Sequence, residues 1–193
     1  HLHARVVDKQ GQKMSKSKGN VIDPLTVTEK YGADALRLAL ILGVAPASDI
    51  ALGEEKIIGM RNFCNKLWNI GRFIEMQNNT TLQTSNKNKL SNEGNKIQKQ
   101  LTGLVKKATK AINDYKFGQA AEILYQFTWH EFADKYLEYC KNNPSSATIK
   151  ILNETFSTLL KLLHPFIPFV TEELWQKLNY SKTALIVEKW PKF

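Results

Sequence analysis

A helical repeat of apolar residues runs through most of the sequence after residue 53. Apolar side chains recur every three or four positions in four segments, at 54–76, 96–112, 118–141 and 149–163. At roughly 100° per residue, this spacing gathers them on one face of each segment. Such faces are buried when helices pack together, so the pattern predicts a mainly α protein with an antiparallel bundle of four or five helices.

The first 50 residues have a different pattern, which is typical of a small piece of α/β structure. A short β segment ends at Val7, and a turn follows over residues 8–11. Two short helical segments then end at Gly32 and Gly43, and glycine is the residue that best tolerates a left-handed helix cap.

This change of pattern divides the chain into residues 1–50 and a helical bundle over residues 51–193. Within the bundle, the stretch near 77–95 is polar almost throughout, which predicts a mobile connector. We expect Thr171 to cap a last short helix, because acidic residues follow it in the first turn. The stretch 184–191 is expected to form a short strand or an extended tail.

Charge and cysteine content limit the class of protein. The formal net charge of +9 favours an anionic partner, but charge alone does not choose between nucleic acid, an acidic membrane surface and no specific partner. No apolar run is long enough to cross a bilayer, so we expect a soluble protein without a membrane partner. Cys64 and Cys140 lack metal-ligand spacing, which predicts reduced thiols, no structural metal and a cytoplasmic location. The chain starts without an initiator methionine or a signal peptide, which predicts a fragment of a larger protein.

One loop carries an unusual density of cations. The stretch KMSKSK at 13–18 holds three lysines within six residues and is too polar to be buried. A flexible loop of this kind can close over a multiply charged anion. A solvated surface loop and a basic patch for nucleic acid are the alternatives.

The loop and the residues after it resemble a known signature. KMSKSKGNVIDP at 13–24 and YGADALR at 31–37 are similar to the second signature loop of class I aminoacyl-tRNA synthetases and the helices behind it. The resemblance implies that residues 1–50 are the end of a Rossmann-type catalytic domain, whose loop clamps the phosphates of ATP, with Mg²⁺ accompanying this substrate. It assigns ATP binding to five loop residues, Lys13, Met14, Ser15, Lys16 and Ser17.

The same resemblance suggests individual roles. Lys16 is the first choice for a catalytic contact with the departing pyrophosphate, and Lys13 is the second. Met14 is expected to pack inward as an apolar pin. Asp34 and Arg37 are candidates for active-site charges, or for a salt bridge or helix cap that anchors the base of the loop.

Three later stretches resemble the valyl branch of the same class. They are RNFCNKLWNIGRF at 61–73, YQFTWHEFADKYLE at 125–138 and LLHPFIPFVTEELW at 162–175. The resemblance implies a bundle that binds the anticodon region of tRNA(Val), in a monomeric enzyme that activates valine with ATP and attaches it to this tRNA. The fragment alone is expected to be inactive. Ala133 and Lys135 depart from this branch, which commonly has cysteine and tryptophan there. A fragment of an isoleucyl enzyme and a noncatalytic RNA-binding module are the alternatives.

Two helix faces are candidates for contact with tRNA. On the first, guanidinium groups suit phosphates and amides suit exposed base edges, although the same groups also suit the junction with the first 50 residues. This face, called here the amide face, consists of Arg61, Asn62, Asn65, Lys66, Asn69 and Arg72. The second face, called here the lysine face, fits either a solvated outer surface or contact with a nucleic-acid backbone. It consists of Lys96, Lys99, Lys106, Lys107 and Lys110.

Overall fold

Two short parallel strands lie at the two ends of the N-terminal part of the protein and pair with each other. In the computed structural model, which describes residues 5–45, 48–79 and 91–192, β1 (Val6–Val7) pairs with β2 (Ile50–Ala51). Between them lie the cationic loop and two helices, α1 (Pro24–Tyr31) and α2 (Ala33–Ile41). Asp23 caps α1 by accepting a hydrogen bond from the backbone N–H of Leu25, and proline opens the helix at a position where it is favoured.

The rest of the described chain is mainly helical, which confirms the mainly α class and the four predicted long segments. The remaining helices, in chain order, are α3 (Glu54–Asn78), α4 (Asn92–Asn113), α5 (Phe117–Gln126), α6 (Glu138–Asn142), α7 (Ser146–Leu163) and α8 (Pro168–Lys177). Helices α5 and α6 are joined without a break by a π-helical segment, Phe127–Leu137.

The π-helical segment is the main departure from the periodicity of the third long helix. Its buried residues are Phe127 and Thr128, then Phe132 and Ala133, then Tyr136 and Leu137. These pairs recur every four or five positions, which is wider than an α-helical repeat and fits the i→i+5 geometry of a π-helix. Phe132 stacks on Phe156 of α7 with ring centroids 5.9 Å apart, so the segment packs directly against the core helix α7.

The helices on either side of the predicted connector are longer than their apolar patterns. Helix α3 continues to Asn78, and α4 begins at Asn92 because the Ser91 side chain accepts a hydrogen bond from the Gly94 N–H. Both ends of the stretch near 77–95 are therefore helical. The middle of the predicted connector, at 80–90, lies outside the described residues.

The predicted cap of the last helix is wrong. Thr171 lies inside α8, where its hydroxyl donates to the Ile167 carbonyl at 2.8 Å and meets His164 Nδ1 at 2.9 Å. The helix starts earlier because Pro168 occupies its first turn, where the missing N–H costs nothing. The tail after it contains a short 3₁₀ turn, Leu185–Val187, and not the strand that was one of the two predicted forms.

Both cysteines are free, and burial raises the pKa of the Cys64 thiol to about 12 and that of Cys140 to about 11. Across the described ranges, histidine, cysteine and acidic residues form no group of three that is placed to hold a metal ion. No helix in those ranges combines the length and the apolar composition that a bilayer-spanning helix needs.

Candidate functional site

The cationic loop is anchored at its base by a carboxylate and an amide. Asp8 accepts hydrogen bonds from the backbone N–H groups of Gln10 and Gln12, at 3.0 and 2.7 Å. Its second oxygen accepts from Asn20 Nδ2 at 2.8 Å, and Asn20 Oδ1 accepts from the Ser15 N–H at 2.9 Å. The two residues that flank the lysines are thereby tied together, so the ends of the loop are fixed.

The same contacts keep Asp8 ionised. The Asn20 side chain, followed by the Gln12 N–H, lowers the pKa of the Asp8 carboxyl below its ordinary value. Because the pKa is lower in the folded chain, this group favours folding above the ordinary pKa and loses that effect as pH falls through the folded value. The loop base is therefore intact at neutral pH. The sequence placed Asp8 in a turn and Asn20 in the signature stretch, but it did not predict that their side chains are joined by a hydrogen bond.

The three lysines of the loop point into solvent. Lys13, Lys16 and Lys18 are exposed, and none of them forms a salt bridge with any residue that the structure describes. The neighbouring Lys9, in contrast, pairs with Glu55 at 2.5 Å. Two of the cations, Lys16 and Lys18, lie in a short 3₁₀ turn. The loop thus combines a fixed base with uncompensated positive charge, which is an arrangement suited to a multiply charged anion.

The remaining loop residues support this arrangement. Met14 is half-buried and packs against the hydrophobic core, as expected for an apolar pin. Ser15 Oγ and Ser17 Oγ lie 3.3 Å apart. The backbone turns at Gly19, directly before Asn20. Its φ of 66° is a left-handed conformation, which favours glycine.

The loop itself does not fit a magnesium site. Magnesium prefers free carboxylate and water oxygens. Among the described residues around the loop, Asp8 and Asp23 supply carboxylates, and both oxygens of each already accept hydrogen bonds.

Asp34 and Arg37 form a clamp between the loop-bearing part and the bundle. Asp34 is buried, and its carboxylate accepts hydrogen bonds from the N–H groups of Phe169 and Val170 at 3.3 and 2.7 Å. It therefore caps the N-terminus of α8 from another part of the chain. Arg37 donates to the carbonyls of Phe166 and Pro165 at 3.2 and 3.1 Å. The sequence suggested active-site charges, or a salt bridge or helix cap at the base of the loop; the structure shows a helix cap, but on α8 of the bundle.

This clamp gives a testable stability effect. Asp34→Ala leaves two partly buried N–H groups at the start of α8 without their acceptor, so we expect the free energy of unfolding to fall by about 1–3 kcal/mol. Asp34→Asn keeps one acceptor oxygen and should cost less. Urea unfolding of the three proteins measures the difference. Equal stability of Asp34→Ala and wild type would mean that solvent replaces the carboxylate at α8.

The amide face is divided into two groups. Lys66 lies in an interhelix contact, with Nζ 2.6 Å from Asp134 and 4.0 Å from the ring centre of Trp129. Arg61 lies over the Tyr31 ring at 5.7 Å, and its Nε is buried without a partner. These two residues hold helices together. The others are exposed to solvent, namely Asn62, Asn65, Asn69 and Arg72.

Aromatic side chains lie next to this face, and sequence reasoning assigned them only to the core. Tyr125 and Trp129 are half-buried and lie 5.7 Å apart, with Phe63 of α3 4.8 Å from Tyr125. Trp129 meets this face through Lys66, whose Nζ lies 4.0 Å from the ring centre. Single-stranded RNA recognition uses rings on which bases stack and amides with which bases pair, so a face that carries both kinds of group suits it.

Comparison with known families agrees with this arrangement. The loop-bearing part matches the family "tRNA synthetases class I (I, L, M and V)" over residues 1–53. The bundle matches "Anticodon-binding domain of tRNA ligase" over residues 95–193. The chain therefore belongs to the family of anticodon-binding domains of tRNA ligases, and its first part is class I synthetase sequence.

Valine–tRNA ligases are among its relatives, which confirms the branch suggested by the sequence. The enzyme of Pelagibacter ubique is 44% identical over 202 residues, which cover 99% of this chain and 23% of the relative. That of Solibacter usitatus is 45% identical over 196 residues, with 100% of this chain and 22% of the relative covered. The chain thus spans less than a quarter of the length of these relatives.

A solved structure has the same fold. Agrobacterium radiobacter LeuRS, in a ternary complex with tRNA and LeuAMS, superposes with a TM-score of 0.78 at 25% identity. The match covers 99% of this chain and 23% of that protein. Both the helix pair behind the loop and the bundle are therefore shared with a class I synthetase.

Proposed function

We propose that this chain is part of a valine–tRNA ligase, which activates valine with ATP and attaches it to tRNA(Val). The observation that carries the proposal is the group of unpaired cations on a loop whose base is fixed by Asp8 and Asn20. Its relatives at about 40% identity carry the same name. In this proposal, residues 1–50 end the catalytic domain and residues 51–193 bind the anticodon region. The proposed enzyme is a monomer and is located in the cytoplasm.

The loop residues act on the phosphates of ATP. When the valine carboxylate attacks the α-phosphorus, the bond to the pyrophosphate oxygen breaks and negative charge builds on the leaving group. Lys16 meets that charge, and Lys13 supports it from the start of the loop. Met14 fixes the position of the loop, while the hydroxyls of Ser15 and Ser17 bond phosphate or backbone. Charge stabilisation of this kind acts mainly in the transition state.

The exposed part of the amide face contacts the anticodon loop. Asn62, Asn65 and Asn69 present donors and acceptors to unpaired bases, and Arg72 meets phosphate. Arg61 and Lys66, which were candidates for the same role, act by holding α3 against its neighbours.

Exchange of labelled pyrophosphate into ATP tests the catalytic part. The protein encoded by the complete reading frame that contains this sequence should catalyse exchange with valine and much less with isoleucine. Exchange that prefers isoleucine would assign the chain to the isoleucyl branch. No exchange with any amino acid, together with tRNA binding, would establish the noncatalytic RNA-binding module.

Substitution of the amides tests the RNA part. We expect Asn65→Ala or Asn69→Ala to reduce the preference for a valine anticodon over a mutated one by about 1–3 kcal/mol, the scale of a good base-edge contact in DNA recognition. Arg72→Ala should weaken both RNAs equally. Titrations with both tRNAs, and a melting temperature for each variant, give the comparison. Equal losses on both tRNAs with a lower melting temperature would make the amides structural.

A further inference from the structure

The lysine face of α4 is a second group of exposed cations, apart from the loop. All five of its lysines are exposed, while the opposite side of the helix is buried through residues such as Ile97, Leu101 and Leu104. Lys110 is paired with Asp114, at 3.4 Å. The structure gives Lys99, Lys106 and Lys107 no salt bridge with any residue in the described ranges. Most of this charge is therefore uncompensated.

The π-helical segment connects this face to the amide face. On one side, Asp134 of the segment pairs with Lys66 of α3 at 2.6 Å. On the other side, Glu131 accepts a hydrogen bond from Gln100 of α4 at 2.9 Å. One turn of the segment thus touches both helices, and the two contacts lie only three residues apart along the chain.

Gln100 shows which way the lysine face points. On a helical wheel at about 100° per residue, Lys96 and Lys107 lie within about 40° of Gln100. The other three lysines continue the arc away from the core, to about 120° from Gln100. The lysine face therefore starts at the edge of α4 that meets the π-helical segment.

The acidic residues between the two faces are neutralised. Glu131 pairs with Lys135 at 2.5 Å, and Asp134 pairs with Lys66 and lies 3.3 Å from His130. These partners lower the pKa values of both carboxyls, the Lys135 and Lys66 hydrogen bonds being the largest causes. An anion crossing the π-helical segment meets no unpaired carboxylate from these two residues.

We infer that the lysine face of α4 and the amide face of α3 form one RNA-binding surface, in which the lysines follow the phosphate backbone of the tRNA whose unpaired bases lie on the amide face. The inference rests on the proposed function and extends it to a second helix. From Lys96 to Lys110, α4 is about 21 Å long at 1.5 Å per residue. One nucleic-acid strand presents about six phosphates over that distance at ~3.4 Å each.

The test compares two double variants of this chain. Lys106→Gln/Lys107→Gln removes two charges from the lysine face, and Lys182→Gln/Lys189→Gln removes two charges from the segment after α8, where both lysines are exposed and form no salt bridge with any described residue. Glutamine has almost the helix propensity of lysine, so both variants should fold, which circular dichroism and melting temperature will check. The probe is a labelled tRNA transcript with a valine anticodon, titrated between 50 and 200 mM salt, alongside the same tRNA with a mutated anticodon.

We expect the first variant to make the slope of log affinity against log salt shallower by about 1.4–1.8, and to weaken binding at 50 mM salt about tenfold or more. Both tRNAs should lose affinity equally, and the Lys182→Gln/Lys189→Gln control should behave as wild type. A wild-type slope and affinity for Lys106→Gln/Lys107→Gln would overturn this inference alone, provided the Asn65 and Asn69 variants still lose anticodon preference. Failure of the wild-type chain to bind either tRNA at 50 mM salt would overturn both the inference and the RNA-binding part of the proposed function.

Discussion

In the ligase that contains this chain, we expect Lys16→Ala to slow formation of valyl-adenylate by about 10²–10³-fold while changing ATP affinity little. Loss of one preorganised group that meets developing charge typically has this effect on the chemical step. The ammonium engages most strongly as pyrophosphate leaves, so its removal raises the transition state more than the bound ground state. Because Lys16 is exposed and has no salt bridge among the described residues, the substitution should leave folding unchanged.

Lys18→Ala is the matched control. Lys18 lies in the same 3₁₀ turn and is equally exposed, but it is outside the KMSKS pentapeptide. Single-turnover measurements at several ATP concentrations separate the rate of adenylate formation from ATP binding. The Lys18 variant should stay within about threefold of wild type. An unchanged rate in Lys16→Ala would remove this residue from the mechanism, and an effect on ATP affinity alone would make it a ground-state binder.

The parts of the structure that follow from local pattern were predictable from the sequence. Helices α3, α4 and α7 were located by their apolar repeat, because each of them buries one face. The exposure of the loop followed from its lysines and serines, which cannot be buried at acceptable cost. The residues at which helices begin and end were less predictable. The start of α4, for example, depends on the single hydrogen bond that the Ser91 side chain accepts.

Contacts between distant parts of the chain were not predictable in the same way. Asp34 caps a helix that starts more than 130 residues later, and nothing in the local sequence identifies its partner. The error at Thr171 has the same cause, because α8 takes its cap from Asp34 and not from a neighbouring side chain. The π-helical segment was read as α-helical because its composition alone does not distinguish i→i+5 from i→i+4 hydrogen bonding.

A close backbone contact gives the largest expected effect on stability. A Cβ added at Gly118, near the start of α5, would lie 2.1 Å from the carbonyl oxygen of Val44 and 2.9 Å from that of Ile41. Both are backbone atoms, which cannot rotate away as a side chain can. Overpacking typically costs 1–3 kcal/mol, so we expect Gly118→Ala to cost about 3 kcal/mol, and the melting temperature to fall by about 6–12 °C for a chain of this size.

Gly103→Ala makes the same substitution where there is room. Gly103 lies inside α4, and a Cβ there would have no heavy atom within 4 Å. Alanine should therefore stabilise the chain by about 0.5–1 kcal/mol, because glycine is a poor helix former. Thermal melts of both variants compare the two positions directly. A Gly118→Ala variant as stable as wild type would show that the turn after α2 can withdraw from α5. The Asp34 and Arg37 contacts would then be the stronger link between the loop-bearing part and the bundle, and the cost of Asp34→Ala would measure that link.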